Sequence, residues 1–538
     1  MKNINIACVI FSVLMASGCY KDKGNYDYTD IKRVEIQFDK ISSYTITQGD
    51  VLEVNPIYPD FVLANPDNYE FTWYLNDETR PEWNTMNFKW QINDLMERGN
   101  LVIEVRDKST DVKYMNRAMV TVNGVYTNYY SWMILSDDGG KSKLSFLSVN
   151  GLLDPDSADQ PQGSDQYYYD GERFITNVYN GDLGSGPIAL QEHWREGIDY
   201  SETVIGNVCV FQKSGAVDLE GTGFTKEIDM VDAFVGQKYP ASNTVLYPGS
   251  FIQYADVVCD QDGKLYSRLK LSDNVYNSEY FLQSPLKVRG EEEVLENCRV
   301  CRGYYTSNRF GYQVVYDGKN KRFLYFQDGG SSWDTPAEGA SAIVPVKVDS
   351  KLYLEDVVHL DNHNGYELLH LCQSAATGAG WNSYYGFYEV LREEATDKLF
   401  LQQFILTKKY GADSPDIQSI TKKEIKGLPG IPSVMAFPTY NPTEYAFFAI
   451  GKKLYMVDLV NMSDAELYYE FDSDITAMDY GSSSNIHLAV GLEDGSFFVL
   501  GANAAKNIKD EHKLVYKAPE KVGKIVDIKY KNNSMWNY

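Results

Sequence analysis

Between residues 31 and 122, hydrophobic and polar residues alternate in short runs separated by turn-forming residues. Strict alternation over about four to eight residues is typical of half-buried β-strands. Trp73 stands at the centre of a middle run, the place of a core tryptophan in a sandwich of immunoglobulin type. We therefore predict a β-sandwich of this type over residues 31–125, with a short helix only at Ile92–Arg98. The predicted strands include Val34–Ile36, Tyr44–Thr47, Val51–Val54, Phe71–Leu75, Leu101–Val105 and Met119–Val122.

From Tyr126 to Tyr538, the strongest repeated pattern is an apolar strand, a tight turn and a second apolar strand. Seven such hairpins have turns near residues 139, 215, 263, 318, 397, 451 and 495, about 59 residues apart on average. Runs such as Tyr445–Ile450 (YAFFAI) are apolar at successive positions, as expected where a sheet is packed on both faces. The pattern predicts a seven-bladed β-propeller over residues 126–538. A large irregular sandwich and two unrelated β-domains are the alternatives.

Two similar segments, Ile475–Tyr480 (ITAMDY) and Ile525–Tyr530 (IVDIKY), have the pattern of a first strand in such a blade. No hairpin follows the second segment. We therefore predict that Ile525–Tyr530 joins the blade that begins near Trp132 and closes the ring, because closure protects strand edges that an open array would expose.

The first eighteen residues have the parts of a secretory signal peptide: Lys2, an apolar run over Ile4–Met15, and the small residues Ala16, Ser17 and Gly18. The run is too short to span a bilayer, which takes about 20 apolar residues. The sequence Ala-Ser-Gly-Cys resembles a bacterial lipobox, which predicts removal of residues 1–18 and lipidation of Cys19. Residues 19–30 are polar and would form a tether. The alternative is an ordinary secreted protein.

The composition is that of a globular protein, with 43% hydrophobic and 23% charged residues. Fifty Lys and Arg residues against 75 Asp and Glu residues give a formal net charge of −25. Because this field repels a phosphate backbone, we expect no nucleic-acid partner. Apart from Cys8 and Cys19, five cysteines remain, and so sparse and odd a set does not predict a disulfide framework.

Motifs for catalysis and metal binding are incomplete. Cys298 and Cys301 form one CxxC pair without the second pair that a structural zinc site needs, so we expect structural thiols or one local disulfide. His359, His363 and His370 lie among helix-breaking residues, which favours a solvated turn and a strand over a metal site. The sequence contains no GxSxG, P-loop or GxGxxG motif. We predict no catalytic residue, no metal and no cofactor, and leave open paired carboxylates that meet only in the folded chain.

Aromatic residues in polar segments are the remaining candidates for binding. Rings flanked by Asp, Asn and Ser offer flat apolar faces beside hydrogen-bonding groups, which suits sugars and peptide side chains. Because 14% of the chain is aromatic, packing is the competing role for each ring. The predicted ligand-binding residues are Tyr167, Tyr168, Tyr169, Trp333, Trp381, Tyr384 and Tyr385.

Four segments together resemble the PKD-like surface lipoproteins of the Bacteroidetes: the lipobox, CYKDKGNYDYTDI, FTWYLN and YYSWMILSDDGGKSKLSFLSV. The resemblance implies an Ig/PKD-like sandwich followed by a propeller, lipid-anchored to the outer membrane on the extracellular side. It also implies an accessory role beside a SusC/SusD-like nutrient importer, to which the protein would deliver a bound oligosaccharide or peptide. Two alternatives stay open: a propeller enzyme that degrades glycans or peptides, and a structural subunit of the same complex that binds no ligand.

Overall fold

The structure is a computed structural model of the 538-residue chain. The chain divides into two compact units, with the boundary between Asn123 and Gly124. Among the described residues, no helix is long and apolar enough to cross a membrane. The structure describes residues 33–38, 43–127, 131–149, 151–153, 168–193, 206–252, 255–269, 279–301, 312–327, 342–346, 356–374, 384–407, 415–438, 445–481, 486–502 and 513–531.

The first unit is a β-sandwich. Its elements are β1 (Ser43–Thr47), β2 (Val51–Val54), α1 (Asp60–Ala64), a 3-10 turn (Pro66–Asn68), β3 (Tyr69–Leu75), a second 3-10 turn (Pro81–Trp83), β4 (Phe88–Gln91), β5 (Met96–Asp107) and β6 (Lys113–Asn123). One sheet has the order β1-β6-β5-β3, with β1 and β6 parallel, and the other pairs β2 with β4.

Trp73 lies at the centre of this unit's core. Its side chain is fully buried, its indole N–H donates to the carbonyl oxygen of Thr85 at 2.9 Å, and its ring packs 5.4 Å from that of Phe88. The apolar positions of the alternating pattern, which predicted the strands, are therefore also positions that form the core. The helix predicted at Ile92–Arg98 is wrong, because β5 begins at Met96 and its backbone pairs with β6 across a bulge.

Among the described residues of the second unit, every regular secondary-structure element is a strand. They are β7 (Trp132–Asp138), β8 (Lys141–Ser148), β9 (Gly151–Leu153), β10 (Tyr168–Asp170), β11 (Arg173–Ile175), β12 (Pro187–His193), β13 (Asn207–Gln212), β14 (Val217–Leu219), β15 (Lys226–Asp229), β16 (Leu246–Phe251), β17 (Ala255–Asp260), β18 (Leu265–Leu269), β19 (Cys298–Val300), β20 (Tyr312–Asp317), β21 (Arg322–Gln327), β22 (Ile343–Pro345), β23 (Tyr366–Ser374), β24 (Tyr384–Glu393), β25 (Leu399–Thr407), β26 (Asp416–Ile425), β27 (Val434–Ala436), β28 (Tyr445–Ile450), β29 (Lys453–Asp458), β30 (Glu466–Glu470), β31 (Ile475–Tyr480), β32 (His487–Leu492), β33 (Phe497–Gly501), β34 (Leu514–Lys517) and β35 (Lys524–Tyr530).

These strands form seven sheets of three or four strands, apart from β9 and β10, which pair with each other. We number the sheets in chain order. Sheet 1 contains β35, β7, β8 and β11, and the others are sheet 2 (β12–β15), sheet 3 (β16–β18), sheet 4 (β19–β22), sheet 5 (β23–β26), sheet 6 (β27–β30) and sheet 7 (β31–β34).

Each sheet shares a hydrophobic core with the next, and sheet 7 shares one with sheet 1. In β28, Ala446 and Phe448 belong to the core shared with sheet 5, whereas Phe447 and Ala449 belong to the core shared with sheet 7. This two-sided packing explains why the strand is apolar at successive positions. The second unit therefore has the closed ring of sheets that defines a β-propeller.

The hairpins and the closing strand are confirmed. Each of the seven predicted hairpins is present, and each belongs to a different sheet. Strand β35 pairs with β7, with Tyr530 opposite Trp132, as predicted for the segment that closes the ring.

The two ends of the ring differ in their connections. At one end, which we call the turn end, the hairpin turns of five of the seven sheets are hydrogen-bonded, among the described residues, to the beginning of the next sheet. Gly495 shows how close this contact is, since its φ is +85° and a Cβ there would lie 1.8 Å from the carbonyl oxygen of Val522. Connections between first and second strands, and between third and fourth strands, leave at the opposite end, the loop end. The N–H groups that donate to hairpin-turn carbonyls are those of Gly186 (to Gly140, 2.9 Å), Cys298 (to Gly263, 3.1 Å), His363 (to Lys321, 2.8 Å), Ile475 (to Gly451, 3.0 Å) and Val522 (to Gly495, 3.1 Å).

Candidate functional site

Three of the predicted ligand-binding residues lie outside the described residues, as does Cys19, the predicted lipidation site, and two more begin β24 with side chains outside the described part. Trp381 follows the first strand of sheet 5, and Trp333 follows the third strand of sheet 4. Their role in binding stays a prediction. The residues, or their side chains, outside the described part are Tyr167, Trp333, Trp381, Tyr384 and Tyr385.

Tyr169 packs in the core between sheets 7 and 1. Its side chain is 8% exposed, its hydroxyl accepts a hydrogen bond from the indole N–H of Trp132 at 2.9 Å, and its ring meets that of His487 edge-on at 5.0 Å. Burial raises the pKa of Tyr169. Because so little of this ring is open to a ligand, the structure assigns Tyr169 to packing, against the prediction. Neighbouring side chains of a strand point to opposite faces, and Tyr168 is partly exposed.

A pocket of about 440 Å³ lies at the turn end, between sheets 3 and 4. Small-molecule sites in proteins occupy roughly 300–1,000 Å³, so a short oligosaccharide segment or a dipeptide would fit. The hydrogen bond from the Cys298 N–H to the Gly263 carbonyl joins two of its walls. The lining residues are Tyr247, Pro248, Cys259, Asp260, Gln261, Asp262, Gly263, Asn297, Cys298, Arg299 and Val300.

A bulge in β16 shapes one wall of this pocket. The register shifts between Tyr247 and Ser250, where Pro248 and Gly249 stand opposite a single residue of β17. Gly249 permits the close approach, since a Cβ there would lie 1.9 Å from the carbonyl oxygen of Val257. Bulges re-aim the side chains beside them. Tyr247 is accordingly left 37% exposed at the pocket, although it belongs to an inner strand.

The hairpin turn of sheet 3 forms a second wall and is held by Asp260. One carboxylate oxygen accepts hydrogen bonds from the backbone N–H groups of Asp262 and Lys264, each at 2.9 Å, and the other accepts from the Tyr266 hydroxyl at 3.2 Å. Burial, followed by the charge of Asp260, raises the pKa of Tyr266. Asp260 therefore holds the turn, whereas the Asp262 side chain is 57% exposed.

Arg299 brings a cation to the third wall. Its guanidinium Nη1 donates to the carbonyl oxygen of Leu368 at 2.6 Å, which ties the inner strands of sheets 4 and 5 together and fixes the side chain. With Tyr247 and Asp262, the pocket thus offers an aromatic face, a guanidinium and a carboxylate. These are the groups that bind and orient a small polar ligand.

The thiols of the pocket are not reactive. Burial raises the pKa of Cys259 to about 12 and also raises that of Cys298, so both stay protonated at neutral pH. Because the thiolate is the nucleophile, protonated thiols attack poorly. None of the lining residues is histidine, serine or threonine. The pocket thus lacks a serine, threonine or cysteine nucleophile paired with a histidine base.

Cys298 and Cys301 are not a pair in the folded chain. Both are free and buried, with Cys298 in the core shared by sheets 3 and 4 and Cys301 in the core shared by sheets 4 and 5. Residues three apart in an extended segment point to opposite faces. The structure therefore supports structural thiols rather than a local disulfide.

The three clustered histidines do not converge on one point. His363 is fully buried and bonds to Glu389 at 2.9 Å, so its prediction in a solvated turn is wrong. His370 stacks on Phe437 with ring centroids 5.4 Å apart, and His359 lies in an exposed turn. His363 is buried rather than solvated because it is the hydrogen-bonding partner of the Glu389 carboxylate. A buried carboxylate requires such a partner.

Residues 19–180 match the PKD-like family. The match begins at Cys19 and covers most of the first unit and the beginning of the second. A search of the curated proteins found no match.

The solved structures similar to this chain include two of AztD from Citrobacter koseri, each 11% identical, which cover 86% of this chain and 97% of their own, with TM-scores of 0.33 and 0.35. BamB from Moraxella catarrhalis is 11% identical, with 72% of this chain and 92% of its own covered and a TM-score of 0.29. Similarities this weak carry no argument about function, and the propeller assignment rests on the sheets of this chain.

Proposed function

We propose that this protein is a surface lipoprotein of the outer membrane that binds an oligosaccharide or a peptide for a SusC/SusD-like importer. The signal peptide and lipobox before Cys19 support the lipid anchor. The match to the PKD-like family starts at that same residue, which agrees with Cys19 as the first residue of the mature chain. The resemblance to surface lipoproteins supports the importer as partner.

The pocket at the turn end is the observation that carries the binding role. Its exposed Tyr247 ring suits the apolar face of a sugar or a peptide side chain, while Arg299 and Asp262 suit polar groups beside that face. Because the walls are formed by hydrogen-bonded neighbouring sheets, the site is rigid before a ligand arrives, which lowers the cost of binding. Both carboxylate oxygens of Asp260 already accept hydrogen bonds within the turn, so the rigid recognition groups favour capture over degradation.

Replacement of Tyr247 by alanine is expected to weaken ligand binding by at least about 10-fold, which corresponds to about 1.4 kcal/mol. The loss follows from removal of the aromatic face, since buried aromatic anchors dominate binding energy at such sites. The measurement screens the purified mature protein on arrays of oligosaccharides and short peptides, and then determines the affinity of each hit by calorimetry.

Tyr280→Ala is the matched control, because Tyr280 is 41% exposed and does not line the pocket. Trp381→Ala tests the aromatic residues predicted at the loop end. Equal affinities for wild type and Tyr247→Ala, with a loss in Trp381→Ala, would move the binding site from the turn end to the loop end.

Co-purification tests the importer role. Tagged protein extracted with detergent from its native outer membrane is expected to bring down a SusC/SusD-like pair in near-equal amount. Recovery of this protein alone from well-solubilised membranes would contradict a stable complex, whatever the result of the ligand arrays.

A further inference from the structure

A second buried polar cluster lies in sheet 2, away from the pocket and independent of the function proposed above. His193, Cys209 and Asp218 each offer one ligand atom, and these three atoms lie within 4.8 Å of one another. All three side chains are almost completely buried, with 1%, 0% and 2% of each residue exposed. Nitrogen, sulfur and carboxylate oxygen thus meet in the protein interior.

Strand register brings the three residues together although they are spread over 26 positions of the chain. Cys209 on β13 stands directly opposite Asp218 on β14. On its other side Cys209 stands opposite Gln191 of β12, and His193 lies two positions further along β12. Because side chains two apart in a strand share a face, all of these groups point to the same side of the sheet.

Neighbouring groups hold the imidazole in place. The His193 ring stacks on Phe251 of sheet 3 with centroids 4.8 Å apart, and its Nε2 lies 2.8 Å from a carboxylate oxygen of Asp218. Asn207 lies 3.3 Å from the other carboxylate oxygen of Asp218, so the carboxylate is oriented from two sides.

Two polar atoms of this region have no hydrogen-bonding partner among the described residues: His193 Nδ1 and Gln191 Oε1. Buried polar atoms are nearly always satisfied by protein, water or a bound ion, so unsatisfied ones call for an occupant. Cys209 is a free, buried thiol at the same point of the interior.

A dication would balance the charges of the region. Arg268 forms an ion pair with Asp256 at 2.8 Å in the adjoining sheet, and both act electrostatically on Cys209. In the occupied site, the Asp218 carboxylate and a Cys209 thiolate balance a dication that the neutral imidazole also ligates, and the Arg268–Asp256 pair adds no net charge. The bound site therefore leaves no uncompensated interior charge.

We propose that His193, Cys209 and Asp218 bind a divalent transition metal, for which Zn²⁺ is the best fit. Zinc takes imidazole nitrogen, thiolate sulfur and carboxylate oxygen as ligands, whereas calcium and magnesium require oxygen ligands. On binding, the metal displaces the proton of the Cys209 thiol, which passes to solvent. Asn207, which donates to the second oxygen of Asp218 at 3.3 Å, orients that ligand from outside.

The test uses the full-length mature protein in detergent, stripped with a chelator and titrated with Co²⁺ alone. We expect one equivalent to bind with the near-ultraviolet absorption of thiolate-to-cobalt charge transfer, and Zn²⁺ to displace it with loss of that absorption. Cys209→Ser should abolish the band, and His193→Gln and Asp218→Asn should each weaken binding by at least about 10-fold.

Two controls isolate the cluster. Cys259→Ser removes another buried thiol, and His363→Gln removes a histidine from a buried histidine–carboxylate pair without a thiol ligand. Both variants should keep the charge-transfer band. Failure of the wild-type protein to take up stoichiometric Co²⁺ would overturn the proposal and assign the unsatisfied atoms to water, and an undiminished band in Cys209→Ser would overturn it as well. The wild-type spectrum decides the matter even where a variant fails to fold.

Discussion

A chain that ends at Gly523 is expected to lose the cooperative thermal unfolding of its propeller, whereas a chain that ends at Lys531 should keep it. The two chains differ only by residues 524–531, which contain the closing strand β35. Without it, sheet 1 has no innermost strand and β7 becomes an open edge. The core between sheets 7 and 1 also loses Ile525, Ile528 and Tyr530, which are 0%, 0% and 3% exposed.

The size of the effect follows from burial. Each fully buried isoleucine contributes about 1.5–3 kcal/mol, and the tyrosine adds a comparable amount. Three such residues approach the whole net stability of a typical domain, about 5–15 kcal/mol. Differential scanning calorimetry and near-ultraviolet circular dichroism measure the loss. A synthetic peptide of residues 524–531 should restore part of the transition, and equal unfolding temperatures for the two chains would refute the role of β35.

Replacement of His363 by alanine is expected to lower the free energy of unfolding of the propeller by about 3–5 kcal/mol. His363 and Glu389 are both fully buried, and the imidazole Nε2 lies 2.9 Å from the carboxylate. The variant leaves that carboxylate in the interior with the Gln402 amide, at 2.7 Å, as its remaining partner among the described contacts. It also opens a gap beside the ring of Phe323, 5.0 Å from that of His363.

A double variant separates the charge effect from the loss of packing. His363→Leu with Glu389→Leu removes both members of the pair and fills the space with apolar groups, so it should cost less than His363→Ala alone. Gln402 keeps its bonds to the backbone of Val358, each 2.8 Å, in both variants. Equilibrium unfolding in urea gives the comparison, and a double variant less stable than the single one would contradict a buried-charge penalty.

The two ends of the propeller divide the candidates for binding. The pocket around Tyr247 lies at the turn end, where the hairpin of sheet 3 is bonded to sheet 4. Among the aromatic residues predicted from sequence, Trp333 and Trp381 lie outside the described residues, and the sequence places each of them after a strand that ends at the loop end. Short, bonded turns give a preorganised wall, whereas longer connections give larger surface for a partner or an extended ligand. The alanine variants at the two ends therefore test two different modes of binding.

Sequence-based predictions succeeded where one local pattern decides the structure. Turns at Gly139–Gly140 and Asp494–Gly495 separate apolar runs of suitable length, so the hairpins needed no tertiary information. The closing role of Ile525–Tyr530 followed from its likeness to another inner strand and from the absence of a hairpin after it. Both are properties of neighbouring residues and of their spacing.

Predictions failed where a contact with distant residues decides the outcome. The residues next to Tyr169 in the sequence do not show whether its ring is exposed or buried. Its burial depends on Trp132, 37 positions away, whose indole N–H donates to the Tyr169 hydroxyl. The pocket was missed because its walls come from three separate segments, although Pro248 and Gly249 within an apolar run were a usable sign of a bulge.

By itself, the sequence determines that this protein is all-β, that its hairpins repeat, and that its last strand is left without a hairpin partner, because alternation, turn residues and spacing act within a few residues. The tertiary structure alone decides which sheets share a core, where the pocket opens, and that His193 meets Cys209 and Asp218. These contacts depend on strand register and on packing between sheets, and a shift of one residue would turn each side chain to the opposite face.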